Sequence, residues 1–325
     1  MGECFLVRRG GGKATLKGIS VKTPPTKLEY FAGEAFDSTG LVLTALIGGL
    51  EVDIATGYTV TPAIISDNTT YVTISYTLDG KTATTTQAVT AKQYSLTFAE
   101  NSWERIREAC QSGDAKTLWS VGDEKPVTIG DSEYVLQILG FDHYDLASTD
   151  EKYGDATYNG GSNKAALCLG LKDLLNDTYT FGTVNVSSWH GASIYNTLNN
   201  TILPSMPSDL VSGIRLVSVK SYASSGNITD TDKILLPSTY EVLGKNSDYR
   251  ESYANKEGTQ YAYYQAGNSA SKHNSNGDAV DYWTRSKMYR NGNWYAKVCT
   301  ITSSGVNTRS WGYTEYNPVS FVINL

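Results

Sequence analysis

Ser286-Lys-Met-Tyr-Arg-Asn-Gly-Asn-Trp-Tyr-Ala-Lys-Val-Cys-Thr-Ile-Thr-Ser-Ser-Gly-Val-Asn-Thr-Arg-Ser-Trp-Gly-Tyr-Thr-Glu-Tyr-Asn-Pro-Val-Ser-Phe-Val-Ile-Asn-Leu325 closes the chain. Aromatic, Arg and Asn side chains gather in two expected loops of low aliphatic content, 287–294 and 307–316, and strand-like runs at 295–302 and 319–323 frame them. Trp, Tyr, Arg and Asn supply rigid contact area and hydrogen bonds at small entropic cost, the chemistry of a binding surface. In the first stretch, 287–294, Met288, Tyr289 and Trp294 offer apolar area, and Arg290, Asn291 and Asn293 offer polar contacts. Asn291-Gly292 is also a hairpin-turn signal, and a hairpin tip can carry such a surface. In the second stretch, 307–316, Arg309, Trp311, Tyr313, Glu315 and Tyr316 form an opposing wall. Trp311 and Tyr316 have a second reading, as core side chains beneath the last strand.

Working outward, the 325 residues suffice for two domains. A net charge of −6 argues against nucleic acid as a general partner, because phosphate neutralisation needs clustered Lys and Arg. No run of 18 apolar residues occurs, so no membrane insertion is expected. Phe5-Leu-Val7 is too short for a signal peptide, and its charges follow it. Cys4, Cys110, Cys168 and Cys299 form no metal-ligand spacing and read as free thiols, with a Cys168–Cys299 bridge left open. No cofactor and no metal are expected.

Residues 1–13 read as an extended arm with a hinge at Gly10-Gly-Gly12. Residues 14–92 read as a small β-sandwich: runs at 17–22, 41–47, 58–61, 71–78 and 81–91 are rich in Val, Ile, Thr and Tyr. Tyr71-Val-Thr-Ile-Ser-Tyr-Thr-Leu78 alternates in period two, and Asp79-Gly80 turns it into the next strand. Ile19-Ser-Val-Lys-Thr-Pro-Pro-Thr-Lys-Leu-Glu-Tyr-Phe-Ala-Gly-Glu-Ala-Phe-Asp37, Thr39-Gly-Leu-Val42 and Val72-Thr-Ile-Ser-Tyr76 resemble the group-three bacterial Ig-like domain. That resemblance implies a spacer that presents another domain.

Residues 94–325 read as an α+β domain. Asn101 is expected to cap a helix, with Glu104 in a capping box and Trp103, Ile106 and Cys110 on its apolar face. A strand pair is expected at 125–129 and 134–139. A second helix is expected over 188–202, with Ile194, Leu198 and Ile202 inward, ended by Pro204 and Pro207. Further strands are expected at 214–220, 233–237 and 282–285, and a long polar loop over 245–280. Asp142, His143 and Asp145 read as strand-end turn residues, and Glu241 as a structural acid.

Trp119-Ser-Val-Gly-Asp123, Leu136-Gln-Ile-Leu-Gly-Phe-Asp-His143, Leu235-Leu-Pro-Ser-Thr-Tyr-Glu-Val-Leu-Gly244, Trp283-Thr-Arg-Ser286 and Asn317-Pro-Val-Ser-Phe-Val-Ile323 resemble an uncharacterised domain family of gut Firmicutes and their phages. That family is similar to the formylglycine-generating-enzyme branch of the C-type-lectin-like fold. The branch includes variable proteins of diversity-generating retroelements, among them a phage tail-tip adhesin. The resemblance implies that Trp283 is core and that Arg285 orders the loops above it through backbone carbonyls. It places the two stretches 287–294 and 307–316 where such proteins vary.

The implied function is a receptor-binding adhesin of the virion. It would bind a host cell-surface protein or glycan, join other tail proteins through its N-terminal arm and form a homotrimer. A bacterial surface adhesin of the same build is the first rival. The Glu-Pro-Asn, Gln-Pro-Asp and Trp-Asn-Asp motifs of calcium-dependent sugar sites do not occur. A formylglycine-generating-like enzyme, the second rival, needs a reactive C-terminal thiol, and only Cys299 lies there.

Overall fold

The computed structural model describes residues 15–183, 186, 188–223, 226–244, 257–290, 293–306 and 308–325, with the side chains at 93, 222–223, 226–227, 289–290 and 293–296 outside the description. The arm and hinge at 1–13, Cys4, Asn291 and Gly292 therefore lie outside the described residues. The chain divides into two compact units, Met1–Leu96 and Thr97–Leu325. Both are rich in β-strand, and no described helix is long and apolar enough to cross a membrane.

The described residues of the first unit hold eight strands: β1 Leu16–Thr23, β2 Glu29–Ala32, β3 Val42–Ile47, β4 Leu50–Ile54, β5 Tyr58–Thr61, β6 Tyr71–Leu78, β7 Lys81–Ala88 and β8 Thr90–Ser95. They pair as β1-β3-β4, β5-β6-β7 and a parallel pair β2-β8. Period two in β6 puts Val72 and Ile74 fully inside. Ile74 packs with Leu41 and Leu43 against Ile19, Val21 and Ile54, so side chains from both three-stranded sheets share one core. Asp79 and Gly80 take positive φ (49° and 76°), the backbone of a two-residue hairpin that pairs Leu78 with Lys81.

The run expected over 81–91 breaks at Val89. Its amide donates to Thr70 O, and the next amide, of Thr90, donates to Leu28 O. The chain thereby leaves β6 and continues as β8 beside β2. Alternation persists through the crossing, so pattern alone does not show it.

In the second unit α1, Trp103–Ser112, buries Trp103, Ile106, Ala109 and Cys110. Its N-cap is Ser102, whose hydroxyl accepts from the Arg105 amide at 3.2 Å, and not Asn101. Asn101 instead turns back to donate to Thr97 O and closes the short turn at Phe98–Glu100. The one-residue shift removes Glu104 from the capping-box position. A short α2, Ala115–Leu118, follows.

A five-stranded antiparallel sheet forms the centre, in the order β15-β20-β11-β10-β9. It uses β9 Glu124–Ile129, β10 Ser132–Phe141, β11 Leu167–Leu171, β15 Ile234–Leu235 and β20 Val322–Asn324, with β12 Thr178–Thr180, β13 Val217–Ala223 and β14 Gly226–Asp232 between them in sequence. Every residue of β11 is buried, so it reads Leu-Cys-Leu-Gly-Leu with no polar alternation. A second antiparallel sheet joins β16 Tyr282–Arg290, β17 Asn293–Ile301 and β18 Thr308–Gly312, and β19 Tyr316–Pro318 pairs with β12.

The helix expected over 188–202 starts later and runs further. Trp189–Gly191 is a single turn, α3 is Ser193–Thr197, and a wide π turn over Leu198–Ile202 leads into another turn at Leu203–Ser205. Ile194, Leu198 and Ile202 are buried as expected. Pro204 does not end the helix. It lacks an amide hydrogen and its ring crowds the preceding turn. The wide turn accommodates it, with the Leu203 amide reaching back to Leu198 O. Among the described residues three further short helices follow: α4 Ser208–Val211, α5 Thr239–Leu243 and α6 Ala262–Gln265.

Candidate functional site

Strand β16 carries the framework of the site. Trp283 is fully buried, meets Phe181 edge-on at 5.8 Å and donates its indole N–H to Tyr179 O at 2.7 Å. Both faces of this strand are covered from Tyr282 to Ser286, and Arg285 is buried with its neighbours, 3% exposed. Its guanidinium donates to Leu236 O, Lys220 O and Glu257 O at 2.9, 3.1 and 2.6 Å. It also forms a two-pronged ion pair with Glu241, at 2.5 and 2.7 Å. Arg285 thus ties together carbonyls from three separate segments, the role expected of it, and gains a carboxylate partner.

Glu241 is fully buried at the first turn of α5. Ser238 caps that helix, and the two residues form a reciprocal capping box. The Glu241 carboxylate also accepts from the Tyr144 and Tyr261 hydroxyls, at 2.8 and 3.2 Å. Burial pushes this carboxyl upward, but the Arg285 charge and hydrogen bonds, with His143 and the Ser238 amide, outweigh it and hold the group below its ordinary range. Gly258 sits against this carboxylate with φ 127°, and a Cβ there would strike Glu241 Oε1. Ser286 donates to the buried Glu257 carboxylate and receives the Thr239 amide at 2.9 Å. Glu257, which follows 245–256, is therefore anchored to this buried cluster.

Among the described residues the two aromatic stretches are mostly strand, with 287–290 in β16 and 293–294 in β17. Residues 308–312 are strand β18, paired to β17 with Val298 opposite Trp311 and Thr300 opposite Arg309. Residues 316–318 are β19, so only the turn 313–315 remains irregular between them. Met288 and Tyr313 are buried, at 7% and 5% exposure, and leave the proposed surface. Tyr313 stacks on Phe181 at 6.1 Å and donates to Val186 O, a partner far away in sequence. Trp311 is half-buried. Glu315 is exposed and Tyr316 is 71% exposed. Arg309 lies on the surface, 3.1 Å from Asp281, with its guanidinium 5.8 Å from the Trp311 ring. Strand spacing places Arg309 and Trp311 on the same face of β18. The side chains of Tyr289, Arg290, Asn293 and Trp294, and all of Asn291, lie outside the described residues.

Asp142, His143 and Asp145 bear out their reading as turn residues in part. Asp142 takes φ 52° and accepts from Lys116 and Asn159, and Asp145 pairs with Lys164 at 2.7 Å. His143 instead packs between Tyr144 and Tyr261, with ring centroids 4.6 and 4.5 Å away. Burial lowers its pKa, against the opposing charge of Glu241.

Cys110, Cys168 and Cys299 are buried, and no Cys168–Cys299 bridge forms. Burial pushes the Cys110 thiol up to about 12 and the Cys168 thiol well above its usual value. Among the described residues no group of three His, Cys, Asp or Glu side chains is placed to hold a metal.

Tyr144, Glu257 and Tyr261 are the members of the buried cluster that sequence reasoning missed. Ser238-Thr-Tyr-Glu241 was their one local signal, since a capping-box acid is positioned to accept further donors.

Residues 167–319, from the start of β11 to the residue after β19, match the family described as Domain of unknown function (DUF6273). No curated protein matches the chain.

Proposed function

We propose that the protein is a receptor-binding adhesin of a phage tail tip. In this reading the first unit is an Ig-like spacer and the second a C-type-lectin-like recognition domain. The first thirteen residues attach it to other tail proteins, and three copies assemble so that weak single sites add through avidity. The observation that carries the reading is a division of labour along one segment. Trp283 and Arg285 are locked inside, while Arg309, Glu315 and Tyr316 stand outside on the strands and turn that follow. An Arg over a Trp ring on one paired strand and an exposed Tyr on another offer contact area with little left to order on binding. The enclosed, protonated thiols favour recognition over thiol chemistry.

The reading is tested on particles. An antibody raised against the second unit should label purified virions at the tail tip and block their adsorption to cells. Particles free of the chain, with adsorption untouched, would contradict it. Retroelement diversification is tested at the locus: codons for Tyr289, Asn291, Asn293, Tyr313 and Tyr316 should match adenine-bearing template codons near a reverse transcriptase gene. Tyr313 is buried, which suits it poorly to variation.

A further inference from the structure

An open cleft of about 760 Å³ lies in the second unit beside the buried cluster, with His143 and Glu241 in its wall. Small-molecule sites commonly have volumes of roughly 300–1,000 Å³. The cleft shares no residue with the Arg309, Glu315 and Tyr316 surface.

Its charges are already spoken for. Asp142 pairs with Lys116, Asp145 with Lys164 and Glu241 with Arg285. Lys220, at the exposed rim, is the one lining cation without a carboxylate partner among the described residues. One rim ammonium is a poor basis for a polyanion, and three neutralised carboxylates are a poor basis for a cation.

The groups left free are uncharged. The His143 ring nitrogens, the Ser218 and Thr229 hydroxyls and the Gln265 amide line the cleft, and none hydrogen-bonds to another described residue. A hydroxyl, a primary amide and a neutral imidazole each donate and accept, which is what a ligand hydroxyl also does. Phe141 and Ile228 add apolar surface of the kind that meets C–H faces. The His143 ring is held by the Tyr144 and Tyr261 rings, whose hydroxyls are fixed to Glu241, so the wall is formed before any ligand arrives.

We propose that this cleft binds a neutral, hydroxyl-rich ligand of one or two sugar rings. His143 and Gln265 hydrogen-bond its hydroxyls, and Phe141 and Ile228 cover its apolar face. The site is separate from the proposed receptor surface and does not depend on it.

The test is saturation-transfer NMR on the full chain with a panel of neutral mono- and disaccharides, a hexuronate and inorganic phosphate. At least one neutral saccharide should bind saturably. Its affinity should fall about tenfold in Gln265→Ala, an exposed position that leaves the fold alone, and at least as far in His143→Phe, which keeps the ring packing. The triple variant Arg309→Ala, Glu315→Ala, Tyr316→Ala should bind the saccharide as the parent does, so the two sites fail or succeed separately. Three results overturn the proposal. One is that no neutral saccharide saturates the site at concentrations up to roughly 20 mM. Another is saturable binding of the hexuronate or phosphate alone, abolished by Lys220→Met. The last is saccharide binding left intact by both Gln265→Ala and His143→Phe.

Discussion

The two units solve the same packing problem with different materials. Among the described residues of the first, the core is aliphatic and aromatic, Thr69 is the one buried polar side chain, and ion pairs such as Lys22–Asp53 lie outside. The second buries Glu241, Glu257, Lys272 and Arg285 outright. Lys272 donates to Leu171 O and Lys172 O, and burial brings its pKa down to about 7. Apolar cores tolerate rearrangement of similar volumes, whereas a buried ion must find its own partners and no others. The first unit is thus built as a body of the right shape. The second fixes particular carbonyls from distant segments in place, which is what a surface with defined geometry requires.

That contrast can be broken most forcefully at Arg285. Arg285→Met strands Glu241 in the interior and should cost about 3–5 kcal/mol, read by calorimetry as a fall in the second unit's transition while the first unit's stays put. Adding Glu241→Gln to it should cost less than the two single changes summed, because the pair acts as one element. In the first unit, Ile74→Ala removes an apolar side chain and should cost about 2–5 kcal/mol with the selectivity reversed.

Acid should separate the units next. Glu241 is held below its unfolded value of 4.5, so its contribution is complete above that value and is lost as pH falls through the folded pKa. Melting of the second unit should therefore drop below about pH 4.5 more steeply than in the Glu241→Gln variant. His190 works in the opposite direction. It sits 2.6 Å from the buried Asp232 carboxylate, chiefly whose hydrogen bond raises its pKa above 6.5. Its contribution is present below 6.5 and is lost as pH rises through the folded value, a slope that His190→Asn should flatten. Smallest of all, Lys22→Met removes a pair whose side chains are more than half exposed and should shift the first unit by no more than about 1 kcal/mol.

Sequence patterning reached different depths in the two units. In the first, β1, β5 and β6 were legible because one face of each is wet and the alternation is written in the residues. In the second, β11 escaped because burial on both faces leaves a continuous apolar run that could equally be a piece of helix. Trp283 and Arg285 were placed correctly within their strand, yet Glu257 and Tyr261 carry no local mark of the partners they meet. The stretch 307–316 was misread as an open loop, although Arg309, Trp311 and Tyr313 already alternate at strand spacing. What hides Tyr313 is Phe181, a contact that only the tertiary fold supplies.

Trp283 and Arg285 are buried framework, and Arg309, Glu315 and Tyr316, the proposed recognition residues, are exposed. The direct measurement is flow cytometry of the fluorescently labelled full chain on a panel of intact gut Firmicutes, run beside the triple variant Arg309→Ala, Glu315→Ala, Tyr316→Ala. The parent should label a subset of strains, and the triple variant, melting at the same temperature, should lose at least about tenfold of that binding. Undiminished labelling by the triple variant would contradict the proposed recognition role.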